Sequence, residues 1–221
     1  MMGQLDKELL QELLNVSDKE LTPKQTQIVQ AAIEIFSEKG FAAASTSEIA
    51  KRAGVAEGTI FRHYKTKKEL LISIVLPVIS NFAVPFLAEQ FLNEIFEGEE
   101  FEEMDQFLRK VIYNRYEFFR KNTALLKILL QEMFYHSEIQ DTFKQIYMEK
   151  IAPKYRNAMK RLLTKEQFES IPTETIFRLT ISTILGYLLA RFIIVPDYDW
   201  DDEREIEYTI QFIQNGIKGL K

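Results

Sequence analysis

Between Thr22 and Leu70 the chain repeats one local signal three times: a hydroxyl residue followed three positions later by Gln or Glu, as Thr22/Gln25, Ser45/Glu48 and Thr66/Glu69. At that spacing the hydroxyl accepts from the amide three residues on, and the longer side chain bonds back to the cap amide, so each pair marks a helix start. Starts so close together force short helices. Pro23 suits the first turn, and Ile28, Ala31, Ala32, Ile35 and Phe36 form an apolar stripe that predicts a helix ending at Gly40, where a positive φ costs glycine little. A second helix buries Ile49, Ala50 and Ala53 before Gly54 closes it, and a third follows Gly54-Val55-Ala56 with Gly58, Ile60, Phe61 and Tyr64. Small residues near its start allow a close approach to another surface. Two short helices joined through a glycine turn spell helix-turn-helix.

The net charge of −5 argues against a nucleic-acid partner only until it is divided along the chain. Residues 22–68 carry Lys24, Lys39, Lys51, Arg52, Arg62, Lys65, Lys67 and Lys68 against Glu34, Glu38, Glu48 and Glu57, a net of +4, which leaves −9 for the remainder. A basic module on an acidic body fits phosphate attraction. Lys67 and Lys68 also open a helix at the positive end of its dipole, a conflict that a phosphate would remove.

With no cysteine in 221 residues there is neither a disulfide framework nor a thiolate metal site, and the first residues lack a secretory pattern, so a cytoplasmic protein is expected. Leu5, Leu9, Leu10, Leu13 and Leu14 predict a short amphipathic helix within an N-terminal extension, residues 1–21, whose acidic balance disfavours a DNA arm. Leu70–Leu87 approaches the length of a membrane span, but Pro77, Pro85, Ser73, Ser80 and Asn81 interrupt it, so a kinked connecting helix is expected and no membrane segment.

Beyond it the pattern is helical throughout: Phe101–Lys121, Thr123–His136, Ser137–Leu163 bent at Pro153, a short capped turn over Thr164–Ser170, Thr173–Val195, and a last helix from about Trp200 to Leu220. The chain is therefore all-α, with about nine helices besides the extension. Its expected domains are residues 22–68 and residues 69–221. The Thr173–Val195 helix is apolar over most of its circumference, more than one core can use, so the last two helices of two copies are expected to form a four-helix seam. His63 and His136 lie far apart, Glu132/His136 is a single pair, and no phosphate loop, nucleophile elbow or metal constellation is present, so neither an enzyme nor a cofactor is expected.

The stretch GFAAASTSEIAKRAGVAEGTIFRHYKTKKELL, from Gly40, resembles the N-terminal DNA-binding module of TetR-family transcriptional regulators over about residues 24–72. The resemblance implies a homodimer with two recognition helices on palindromic double-stranded DNA, and release by a small ligand held in a C-terminal helical domain. It makes Glu57–Tyr64 the recognition helix, with Thr59, Arg62 and His63 facing DNA, Tyr64 on the backbone, Lys67 as a phosphate clamp, and Ser45 and Thr46 beside the sugar-phosphate chain. Arg62 is the candidate for a guanine edge. Ala44, Ala56 and Phe61 depart from the family's common Thr, Ser and Tyr, each losing a hydroxyl. The implied effector is hydrophobic, with Phe82, Phe86, Tyr113, Tyr116, Phe134 and Tyr147 as candidate walls. A rival reading is a TetR-like protein-interaction module with weakened DNA binding.

Overall fold

All three hydroxyl caps and two of the three reciprocal boxes are formed in the computed structural model, which describes residues 22–70, 84–97 and 101–219. The amphipathic extension, most of the connecting helix, Phe82 and the last two residues lie outside the described residues. Helix α1, Pro23–Ala43, opens on Thr22, whose hydroxyl accepts from the Gln25 amide while the Gln25 side chain accepts from the Thr22 amide. It was expected to end at Gly40. Instead Gly40, at φ 76° and ψ 160°, interrupts the ladder, and one more turn runs to Ala43. The Ala44 amide then bonds back to the Gly40 carbonyl at 3.2 Å, so the turn past the glycine has its own closure.

Helix α2, Thr46–Ala53, has the Ser45/Glu48 box at one end and Gly54 at φ 67° at the other. Helix α3, Glu57–His63, starts from Ala56 with no side-chain cap. In α4, described over Lys67–Leu70, Thr66 accepts from the Glu69 amide, but Glu69 returns its bond to the Lys65 amide, one residue earlier than a capping box requires. Ile28, Phe36, Ile49, Ile60 and Leu70 are fully buried, one or more from each of these four short helices. Each such side chain contributes about 1.5–3 kcal/mol, which is how helices too short to stand alone are held.

Helix α5 is Val84–Phe96 and helix α6 is Met104–Glu132. The two helices expected over Phe101–Lys121 and Thr123–His136 are thus one, with Asn122 off-helix at φ −118° and ψ 23° where the break was predicted. Helix α7, Ser137–Ile146, passes through a wide turn at Tyr147–Ile151 into α8, Ala152–Leu162. Proline explains that turn. Pro153 has no amide and its ring crowds the carbonyl four residues back, so the Ala152 amide reaches Tyr147, five residues back, instead. Helix α9 is Lys165–Ser170, and α10, Thr173–Leu189, ends in a second wide turn, Ala190–Ile194. Helix α11 is Asp202–Gly219.

The described residues divide into two compact units. One contains everything up to Leu87 together with Lys121–Lys144, and the other contains Ala88–Arg120 and Gln145 onward. The 22–68 module of the sequence reading lies within the first. In the second, the ring of Phe107 meets Phe101 and Tyr155, and Tyr155 in turn meets Phe177 at 5.0 Å between centroids, an aromatic spine linking α6, α8 and α10. Arg109 joins Asp105 of its own helix to Glu207 of α11.

Candidate nucleic-acid interface

The helix-turn-helix spends its acidic side chains internally. Arg52 pairs with both Glu34 and Glu38 at 3.2 and 2.7 Å, and Lys39 pairs with Glu48. Hydrogen bonds from Arg52 hold the Glu38 carboxyl below its ordinary range, and Lys39 does the same for Glu48. Glu57, the remaining acid, accepts from the Thr46 hydroxyl at 2.8 Å, which ties the start of α3 to the start of α2. That bond compensates in part for the missing cap at Ala56, since the carboxylate also faces the positive end of α3.

The cations are distributed differently. Lys51, Arg62, Lys65 and Lys68 are all exposed, and no acidic side chain among the described residues lies within ion-pairing distance of any of them. Arg62 projects from α3 beside Phe61, which keeps 46% of its surface exposed. Gly58 is exposed as well, and a Cβ built on it would meet nothing within 4 Å. No neighbour inside the module therefore requires a glycine there, and the space it leaves opens outward.

Several residues expected at DNA have other engagements in this module. Ser45 is exposed but its hydroxyl serves the α2 cap, while Thr46 is half-buried and donates to Glu57. Thr59 is half-buried. Tyr64 is buried, and Gln25 donates to its hydroxyl at 3.3 Å, so the same glutamine that caps α1 also anchors the end of α3. Lys67 donates from Nζ to the Ala44 carbonyl at 2.8 Å, joining the start of α4 to the chain just past α1. The His63 side chain lies outside the described residues. Sequence reasoning missed the Arg52 clamp. Its only sequence signal was the Glu34/Glu38 pair, one helical turn apart on α1.

The residues expected to line a ligand site are dispersed. Tyr113 is exposed on α6, and Phe134 lies 78% exposed in the turn after it. The Tyr147 ring packs on Phe177 at 4.9 Å. Tyr116 donates to Asp202 at 2.7 Å and packs on Phe192, and the Phe82 and Phe86 side chains lie outside the described residues. No ring contact joins any two of these candidates among the described residues. Asp202, the first residue of α11, is shared by three donors. It accepts from Tyr116, from Tyr187 at 2.8 Å and from Arg191 at 2.7 Å. Burial opposes its charge, but those three donors outweigh burial and hold its carboxyl below the usual range. Burial together with the Asp202 bond pushes the Tyr116 phenol up to about 12.

A sequence profile described as bacterial regulatory proteins, tetR family, matches residues 28–74, the span that holds these helices. Residues 28–74 are thus similar to the DNA-binding module of TetR-family regulators. The fatty acid metabolism regulator protein of Bacillus subtilis is 42% identical over 64 residues, 29% of this chain and 33% of that relative. The transcriptional regulator UidR of Escherichia coli is 30% identical over 114 residues, 52% of this chain and 54% of the relative. The chain thus spans about a third to a half of the length of these curated relatives. The solved structure of the transcriptional regulator FadR from Bacillus subtilis in complex with stearoyl-CoA aligns with 88% of this chain and 98% of that one, at TM-score 0.58 and 20% identity. The TetR-family regulator PfmR from Thermus thermophilus aligns over the same 88%, at TM-score 0.57 and 19% identity. At such identities the likeness establishes the TetR fold alone.

Proposed function

We propose that this chain is a dimeric transcriptional repressor that binds a palindromic operator through α3 and is released by a small hydrophobic effector. The observation that carries the DNA-binding part is the outward side of the helix-turn-helix, where Arg62, Lys65 and Lys68, unpaired among the described residues, accompany an uncrowded Gly58. Exposed cations without partners attract phosphate, and a bare glycine lets backbone approach backbone. Arg62 takes the base edge, because its fork meets guanine O6 and N7 together, and Phe61 suits a thymine methyl. Lys67, already fixed at Ala44, adds a cation at a defined position.

Dimerisation is assigned to α10 and α11. Leu179 of α10, Ile194 in the wide turn that ends it, and Tyr208 and Phe212 of α11 are exposed, Phe212 by 70%. A second copy would cover such a surface in a four-helix seam. The hydrophobic effector is supported by a relative named as a fatty acid metabolism regulator and by a structural neighbour, the regulator FadR, solved in complex with stearoyl-CoA.

Binding-site selection from random duplex DNA at two salt concentrations tests the reading. A defined inverted repeat should emerge, with affinity falling steeply as salt rises. If no sequence is enriched and Arg62→Ala leaves DNA affinity unchanged, the protein-interaction reading takes its place. A monomer in analytical ultracentrifugation at micromolar concentration would remove the dimer.

A further inference from the structure

Arg115 lies on α6 in the second unit, and its setting differs from that of the paired arginines. The ring centroid of Phe91, from α5, is 4.3 Å from its guanidinium carbon, and that of Phe118, one turn along α6, is 4.7 Å away. Flanked by two rings, the group is largely cut off from water although the residue as a whole is half-buried, and this burial pushes it down to about 10. It therefore remains charged at neutral pH.

A guanidinium has five N–H donors. Nε and Nη2 both donate to one acceptor, Oδ1 of the adjacent Asn114, at 2.8 and 2.5 Å. No carboxylate among the described residues is within ion-pairing distance, and no further hydrogen bond to Arg115 is made. Glu94 of α5 takes the Asn114 amide and is exposed; its charge favours the Arg115 cation without an ion pair between them. Arg52, Arg109 and Arg191 each hold at least one carboxylate. Burying a cation against neutral acceptors is costly, and an apolar side chain of similar length would fill the same space at less cost. A structural clamp between α5 and α6 gives no reason for the charge. An incoming anion does.

We propose that Arg115 receives the anionic head of an amphipathic effector, a carboxylate or phosphate group that pairs with the donors Asn114 leaves open. The planar fork matches two oxygens of either group, and the rings of Phe91 and Phe118 offer apolar surface to the adjoining chain. This assignment rests on the effector-binding reading given above and deepens it.

Calorimetric titration of the full-length protein with dodecanoate, dodecanoyl-CoA and methyl dodecanoate, below their aggregation concentrations, separates the two ideas. The wild type is expected to prefer dodecanoate or dodecanoyl-CoA to the neutral ester by about tenfold or more; which of the two binds identifies the anion as carboxylate or phosphate. Arg115→Met and Arg115→Gln should bring that ratio within about twofold while ester binding stays, since only the charge-assisted bonds are removed. Arg115→Lys, with the charge but not the fork, should lose about threefold of the preference. An undiminished preference in any variant that still melts cooperatively overturns the assignment. Equal binding of acid and ester by the wild type overturns it too, while leaving the hydrophobic effector intact. If no compound binds the wild type, the effector reading falls and takes this proposal with it.

Discussion

Arg62 in the helix-turn-helix and Arg115 in the second unit carry unpaired positive charge in opposite settings. In the first, Arg52 and Lys39 consume Glu34, Glu38 and Glu48, and the cations left over, Arg62, Lys65 and Lys68 among them, stand at the surface. In the second, Arg109 and Arg191 are paired, whereas Arg115 is stacked between two rings. Water solvates an exposed cation at almost no cost, so a surface cluster can wait for a large polyanion and exchange counterions for it. A buried cation has no such reserve, and its placement specifies a small anion instead.

If paired charges hold the fold and unpaired ones meet partners, the largest stability change should come from Asp202. Asp202→Ala leaves Tyr116, Tyr187 and Arg191 without their shared acceptor and is expected to cost about 2–3 kcal/mol. In a thermal melt that is roughly 5–10 °C for a chain of this size. The same carboxylate sets a pH dependence. Its folded pKa is depressed, so its contribution is complete above the unfolded value near 3.9 and is lost as pH falls through the folded one. In Asp202→Asn the acid limb of the melting profile below about pH 4 should flatten; an unchanged limb would mean that Asp202 is not what the acid titrates.

Arg62→Ala probes the other side of the comparison. Operator affinity should fall by about 1–3 kcal/mol, with relaxed specificity at one base position and no loss of melting temperature. A variant that melts early would show Arg62 to be holding the module together.

Gly58→Ala should separate the two roles within one residue. The folded module has room for the methyl, and a helical Ala is favoured over Gly by about 1 kcal/mol, so melting should rise while gel-shift affinity drops. Equal affinity would remove the close-approach reading. The smallest effect is expected at Arg52. Its ion pairs with Glu34 and Glu38 are more than a third exposed on the arginine side, so Arg52→Leu should cost less than about 1 kcal/mol in denaturant titrations.

Local signals carried most of the first module. The caps at Thr22 and Ser45, the positive φ at Gly54 and the uncapped Ala56 all follow from neighbours within a few residues, and all were legible. At Gly40 the legible part was the positive φ; the extra turn to Ala43 has no marker in the local pattern. Long-range partners were not legible. The sequence separates Lys67 from Ala44 by 23 positions, Gln25 from Tyr64 by 39 and Tyr116 from Asp202 by 86, and no periodicity encodes such distances. For that reason the bonds that Tyr64 and Lys67 make within the module lay outside the expectation that placed both at DNA.

By itself, then, the sequence determined most helix starts, the all-α class and the helix-turn-helix, because capping and periodicity depend on residues close along the chain. Tertiary structure alone decided which charges are spent. An ion pair or a ring stack forms between side chains that folding brings together, so Arg52, Arg62 and Arg115 read alike in one dimension and differ in three.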